Sequence, residues 1–307
     1  MKFTHPVLLL ALAVSLESAQ AVVVNFDFNL RLSDDSNVGV GAAGDTYQGL
    51  GAAPDSATNT LWNSVRRTGS TGTAAVSSAS GLNNNPPGGG PIRDSSGLAT
   101  TIDVILGSTT GAAGATGIGH QRSGNQQELG LGAVPQYEDL MADYMQLTAP
   151  GNDSAANVGT VNGTINGLSP GAFYEIYFYG QGANYSGAFA STTSGANSLF
   201  GITDALGGSV IGSLKQTGWT PSDGVLTEGV EYVKFTANAN ATGEIFFMWQ
   251  NVVAGKNVTT DLAPDVGGGS TRFAALNAIQ VVSVPEPSAA LLGGLGVLSL
   301  ALRRRRI

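Results

Sequence analysis

"GLSPGAFYEIYFYG", Gly167 to Gly180, is the stretch that decides the fold. Its second part, Phe173 to Tyr179, is almost wholly aromatic and β-branched, the side chains that fit a pleated, buried surface. A Ser-Pro-Gly turn, Ser169 to Gly171, separates it from an earlier strand at Val161 to Leu168, where Val161, Ile165 and Leu168 point inward. The same kind of run recurs along the chain. Val22 to Leu30 settles into alternation at Asn25-Phe26-Asp27-Phe28, and Leu98 to Leu106 is a second clear strand. Val230 to Ala237 and Glu244 to Gln250 read as a pair joined through Asn238 to Gly243, and Ala274 to Val284 as the closing strand. Ten to twelve strands at these intervals predict an all-β fold, a single β-sandwich or jelly-roll-like domain.

Composition agrees. The 307 residues are 42% apolar, enough for a core, yet only 12% charged, with 44 glycines for turns. There is no cysteine, so neither a disulfide framework nor thiol chemistry is open to the chain. Setting aside Lys2, Glu17, Glu286 and Arg303 to Arg306 leaves 9 basic against 20 acidic side chains, a net charge of −11. Such a surface repels a phosphate backbone, which argues against nucleic acid as a partner.

One helix is expected. In "VPQYEDLMADYMQL", Tyr137, Leu140, Met141, Tyr144 and Met145 follow a helical stripe behind Pro135, predicting a short helix over one end of the sheet. Thr68 to Pro91 and Gly107 to Gly124, rich in Gly, Ser, Asn and Ala, read as long loops.

The two ends carry addresses. Residues 1–21 have one Lys, an apolar run from Val7 to Leu16 and the small-x-small triplet closed by Ala19 and Ala21, the order of a cleaved secretory signal peptide. Residues 22–283 are the expected extracellular β body, and 284–307 a tail. In that tail Ser288 to Leu302 is free of charge; as a transmembrane helix its 15 residues would rise about 22 Å, short of a roughly 30 Å hydrocarbon core. Arg303, Arg304, Arg305 and Arg306 would stay cytoplasmic and hold the body outside.

Pro285-Glu286-Pro287, then an apolar segment, then an arginine cluster, resembles the PEP-CTERM sorting domain of proteins exported by Gram-negative, often matrix-forming, bacteria. The resemblance implies processing near Pro285, Glu286 and Pro287 by an exosortase-type membrane enzyme, followed by residence at the cell surface or in the biofilm matrix. The residues alone leave open a plain anchor that is never cut. The body also resembles β-sandwich PEP-CTERM proteins through "GAAPDSATNTLWNSV", "GLSPGAFYEIYFYG" and "FAALNAIQVV". That second likeness implies a fold similar to carbohydrate-binding jelly rolls and no established activity.

Chemistry is sparse. With the leader gone His120 is the only histidine, so Cys-His and His-cluster metal sites are excluded. No Gly-x-Ser-x-Gly elbow is present. Asp34, Asp35 and Asn37 could offer oxygens to calcium but lack the full loop pattern, so no cofactor is expected beyond weak calcium. Glu128, Glu138, Glu175 and Glu244 are carboxylates of the type a glycoside hydrolase pairs. The expectation is an exported, non-catalytic surface or matrix protein, a candidate polysaccharide binder through exposed aromatics such as Trp62, Trp219 and Tyr185. The alternative is a secreted carbohydrate-active hydrolase.

Overall fold

The computed structural model describes residues 21–28, 49–53, 61–65, 76–77, 91–107, 117–122, 140–141, 143–150, 157–182, 196–218, 225–253, 255–257 and 273–285. The described residues are all-β, with fifteen strands in three sheets, numbered here in chain order. The five-stranded sheet runs β12 (Tyr232–Asn238), β8 (Phe173–Tyr179), β15 (Ala278–Ser283), β1 (Val23–Phe28) and β2 (Asn63–Val65). The seven-stranded sheet runs β11 (Lys215–Gln216), β10 (Ala196–Thr203), β13 (Ile245–Asn251), β7 (Thr160–Asn166), β4 (Asp103–Gly107) and β3 (Val76–Ser77), with β9 (Gln181–Gly182) beside β10. The third sheet is β14 (Phe273–Leu276), β6 (Asp143–Thr148) and β5 (Gly117–Arg122). Thus Val76–Ser77 and Gly117–Arg122, expected within loops, form short strands.

The aromatic strand organises the core. Alternate residues of β8, Tyr174, Ile176 and Phe178, join one apolar cluster with Phe26 of β1, Val233 and Phe235 of β12, Phe200 of β10 and Phe247 and Trp249 of β13. Phe178 sits at its centre, stacked on Phe200 at 4.9 Å between ring centroids and tilted against Phe247 at the same distance. Gly163 makes room there, since a Cβ on it would lie 2.2 Å from Cζ of Phe247. The other face of β8 is buried too: Tyr177 and Tyr179 meet Trp62, Leu140, Met141, Val23 and Ala278. A strand covered on both sides reads as a continuous apolar run, as Phe173 to Tyr179 does.

Three further expectations are corrected. The segment Asn238 to Gly243 does not close a hairpin: β12 pairs with β8, whereas β13 pairs with β7 and β10 in the other sheet. The connection arches across the core, so Phe235 and Phe247 approach it from different sheets. The Ser169–Gly171 turn makes the same crossing from β7 to β8. The two arches lie side by side, with Leu168 N donating to Gly243 O at 3.0 Å and Gly171 N to Ala239 O at 3.0 Å. Gly243 takes φ +77°, a left-handed conformation that favours glycine.

The expected helix over Tyr137 to Met145 gives way to strand β6 from Asp143 onward; among the described residues only Leu140 and Met141 are helical. In β6, Met145 and Leu147 alternate into the main cluster while Tyr144 packs on Ala275 on the other side. The stripe from Tyr137 to Met145 has a 3.6-residue period, but within Asp143–Thr148 Met145 and Leu147 alternate toward the core, and pairing with β5 and β14 decides for the strand.

The closing strand is really two. Asn277, fully buried, lies between β14 in the third sheet and β15 in the five-stranded one. Its backbone N donates to Tyr179 O at 3.0 Å, its O accepts from Phe28 N at 2.8 Å, and its side-chain Oδ1 accepts from Gln181 N at 2.8 Å. Three residues on, Gln280 Oε1 accepts from Tyr179 Oη at 2.5 Å and Ala53 N at 3.0 Å, while Nε2 donates to Asn25 Oδ1 at 2.8 Å. Asn63 Nδ2 donates to Asn25 O at 2.9 Å, and Ala52 N to Tyr179 Oη at 2.5 Å. The three stretches that carry the body's likeness therefore converge on one buried hydrogen-bond network. Partners of this kind offset the cost of burying amides.

Candidate functional site

The tail springs from the five-stranded sheet. Ser283 N donates to Val22 O at 2.8 Å and Val22 N to Ser283 Oγ at 2.7 Å, so the start of β1 and the end of β15 are held together. Val284 N still donates to Phe173 O at 2.9 Å. Pro285 has no N–H to continue the ladder, and it is exposed. The sorting triplet thus begins at the residue that follows this last bond to the sheet. Glu286, Pro287 and Arg303 to Arg306 lie outside the described residues, as do Ala19 at the leader end and Asp34, Asp35 and Asn37 of the calcium candidate. Ala21 is described and leads into β1.

Beside the arches a groove of about 390 Å³ opens along the edge between the two larger sheets. Its apolar lining includes Ile202, Phe235 and Ile245, and Phe173 and Phe246 also line it. The polar lining includes Asp204, Thr236, Asn238, Asn240 and Glu244. The arch itself fixes Asn240 and Glu244. Asn240 Oδ1 accepts from Thr242 N and Glu244 N, each at 2.9 Å, a side-chain turn that orients the loop. Glu244 Oε2 in turn accepts from Thr242 Oγ1 at 2.6 Å and Asn240 Nδ2 at 3.1 Å. These hydrogen bonds, Thr242 first and Asn240 second, hold the Glu244 carboxyl below its ordinary range, so it is ionised at neutral pH. Asp204 Oδ1 accepts from Ser209 N at 2.8 Å. The arrangement offers apolar contact flanked by hydroxyl, amide and carboxylate groups, the mix that orients a small polar ligand.

The aromatic candidates fare differently. Trp62, expected at the surface, is fully buried, its indole N–H donating to Gly49 O at 3.0 Å and its ring edge-on to Tyr179 at 6.2 Å. It is a core residue and cannot present a face to a ligand. Trp219 and Tyr185 lie outside the described residues. Phe173 and Phe246, which composition did not single out, line the groove instead. Of the candidate carboxylates, Glu175 is engaged away from the groove lining, accepting from Tyr177 Oη at 2.8 Å and pairing with Lys234 at 3.3 Å. Burial, then the Glu175 hydrogen bond and charge, push the Tyr177 phenol well above its usual value. Glu128 and Glu138 are outside the described residues. No group of three or more metal-ligating side chains occurs among the described residues, and no helix among them is long and apolar enough to cross a membrane.

Solved structures similar to this chain are remote. The K1 cleaved adhesin domain of Lys-gingipain from Porphyromonas gingivalis W83 aligns at 7% identity and TM-score 0.31, covering 70% of this chain and 99% of that one. The carbohydrate-binding module TmCBM61, solved with β-1,4-galactotriose, aligns at 10% identity and TM-score 0.28, covering 59% and 88%. The enzymatically active domain of tailspike protein 4 from bacteriophage CBA120 aligns at 14% identity and TM-score 0.25; 58% of this chain is covered, and only 19% of that one. No curated protein matches the sequence. The C-terminal residues are different: the family model of the PEP-CTERM protein-sorting motif matches residues 283–306. The match starts at Ser283, the last residue of β15, and takes in the triplet, the apolar segment and the arginines. The motif implies export, a membrane-associated tail and processing by an exosortase: this chain is a β-sheet-rich body bearing a PEP-CTERM sorting motif.

Proposed function

We propose that the protein is an exported, non-catalytic surface or extracellular-matrix protein of a Gram-negative bacterium, whose β-sandwich body binds polysaccharide along the edge groove. The observation that carries the reading is the sorting motif rooted on the last residue of β15. Export starts with removal of residues 1–21 after Ala21. Ser288 to Leu302 then holds the precursor in the inner membrane, with Arg303 to Arg306 inside, until the tail is processed at Pro285-Glu286-Pro287. The sandwich reading rests on the apolar cluster shared between the two larger sheets, with Phe178 against Phe200.

Groove chemistry supports binding over hydrolysis. A glycoside hydrolase needs a carboxylic acid kept protonated near neutral pH. Glu244 is shifted the other way by Thr242 and Asn240, which counts against it as a general acid. The phenyl groups of Phe173 and Phe246 beside amides and carboxylates suit sugar rings, which present apolar faces and hydroxyl edges. The two acidic groups favour neutral or amino sugars over acidic ones.

The test is a glycan array on residues 22–283, with Phe246→Ala and Glu244→Gln alongside. Retention of a neutral or amino-sugar polymer is expected, weakened about tenfold by Phe246→Ala, the equivalent of about 1.4 kcal/mol. A folded body that retains no glycan would remove the binding role. Release of shortened chains from a bound polymer would replace it with the hydrolase reading.

A further inference from the structure

We infer that the pole from which the tail emerges is a membrane-contacting surface of the uncut protein. Val284 is still hydrogen-bonded to Phe173, and the charge-free segment starts at Ser288. The intervening chain is four Cα steps, at most about 14 Å when fully extended. The headgroup layer itself takes up about 5–8 Å of that reach. Val284, bonded to the sheet, is therefore held against the lipid surface for as long as the tail is embedded.

The residues set round that root suit such a position. Along the end of the five-stranded sheet the order is Phe173 on β8, Val284 after β15, Val22 before β1, then Ser95, whose N donates to Val23 O at 2.7 Å. With strands about 4.8 Å apart, Phe173 and Val22 are about 10 Å from each other across the tail. Ser95 belongs to the tight turn Asp94 to Leu98, closed by Asp94 N donating to Leu98 O at 2.8 Å. Val22 is 41% exposed, Phe173 37% and Leu98 68%. Three large apolar side chains thus stand free at the one place where the covalent tether brings lipid within reach. Phe173 and Leu98 can insert into the interface at little cost, where aromatic and aliphatic groups are favoured, while Val22 bears the charged amino end once residues 1–21 are removed and stays at the level of the headgroups. The opposite end of the sheet offers a control. Val225 is 58% exposed but lies beyond the start of β12, past Tyr232, which pairs with Tyr179. The length of β8 from Phe173 to Tyr179, about 20 Å, separates that end from the tail.

The chain has no cysteine, so single sites can be labelled cleanly. Leu98→Cys, Phe173→Cys and Val225→Cys, each carrying an environment-sensitive fluorophore, are made in the uncut full chain purified from the membrane fraction. Reconstitution uses zwitterionic phosphatidylcholine vesicles, because Asp94, Asp204 and Glu244 would be repelled by anionic lipid. Emission from positions 98 and 173 is expected to shift to the blue and to be quenched by lipids carrying a nitroxide near the headgroup, while position 225 reports water. Cutting the tail with a protease at a four-residue site that replaces residues 285–288, so that the tether is no longer than before, should return the first two labels to the spectrum of the third. Equal, water-like emission from all three positions in the uncut chain would overturn the inference. So would a lipid signal that persists after the tail is cut and the body released from the vesicles.

Discussion

Replacing Gln280 by Leu is the sharpest probe of the buried network. The two side chains are close in size, so the change removes hydrogen bonds with little change of volume. Gln280 is fully buried and satisfies three partners: the Tyr179 hydroxyl, the Ala53 N–H and the Asn25 carbonyl oxygen. Each partner left unsatisfied in the interior costs about 1–3 kcal/mol. Taking the low end for each, because the Tyr179 hydroxyl can turn and the added methyl groups gain some burial, the loss is about 3 kcal/mol. For a body of this size that lowers Tm by about 6–12 °C. The assay is urea and thermal unfolding of residues 22–283, beside Ile279→Val, a neighbouring core change worth about 0.5–1.5 kcal/mol. Asn25→Ala and the double variant complete a cycle, in which a coupling of at least about 0.5 kcal/mol is expected between contacting groups. A loss for Gln280→Leu no larger than for Ile279→Val, with no coupling to Asn25, would show that the network does not specify the body.

Gly243→Ala should destabilise by more than about 1–2 kcal/mol, since the residue has φ +77° and a Cβ there would lie 2.2 Å from Leu168 O; a melt within error of wild type would contradict the double-arch geometry. Tyr177 and Tyr232 both have phenols pushed above the ordinary value of 10.0, chiefly by burial, so the folded state holds these protons more tightly than the unfolded one. Their contribution is full below pH 10 and is lost as pH rises further, and ultraviolet titration should show two of the tyrosines ionising late and together with unfolding. Millimolar calcium should raise Tm by less than about 10 °C, because Asp34, Asp35 and Asn37 lack the full ligand pattern of a calcium loop; a larger rise would point to a tightly held ion. Glycan affinity should be lower for the vesicle-bound precursor than for the released body, since Phe173 lines the groove and also flanks the tail.

The strands were legible wherever a run was long and β-prone. Phe173 to Tyr179 came out with the bounds it shows in the fold, and Val23–Phe28 and Ile245–Asn251 fall within a residue or two of the reading. Which strand pairs with which was not legible. Asn and Gly close a hairpin and an arch equally well, so Asn238 to Gly243 gave no hint that β12 and β13 belong to different sheets. Nor does the run from Phe273 to Ser283 announce its change of sheet at Asn277, because backbone partners supplied by Tyr179 and Phe28 make that break. Trp62 is fully buried, yet a lone tryptophan among polar residues looks the same in sequence whether or not Tyr179 lies beside it. The groove was hidden for a related reason: Phe173, Asp204 and the arch carrying Asn240 and Phe246 are far apart in sequence and meet only after the chain has crossed the core twice. The sorting tail was the opposite case, a contiguous signal whose order of proline, apolar segment and arginine survives without any fold.

Export and sorting leave their marks at the two ends of the chain. Intact-mass analysis and N-terminal sequencing of the protein from the cell surface and medium should give a chain that begins at Val22 and has lost Arg303 to Arg306. Glu286→Ala should leave insertion unchanged and block processing, so that uncut protein collects in the membrane fraction, because Glu286 is the one charged side chain between β15 and the apolar segment. Full-length protein that keeps its arginines as the stable surface form in wild-type cells would contradict the account and leave a permanent anchor in its place.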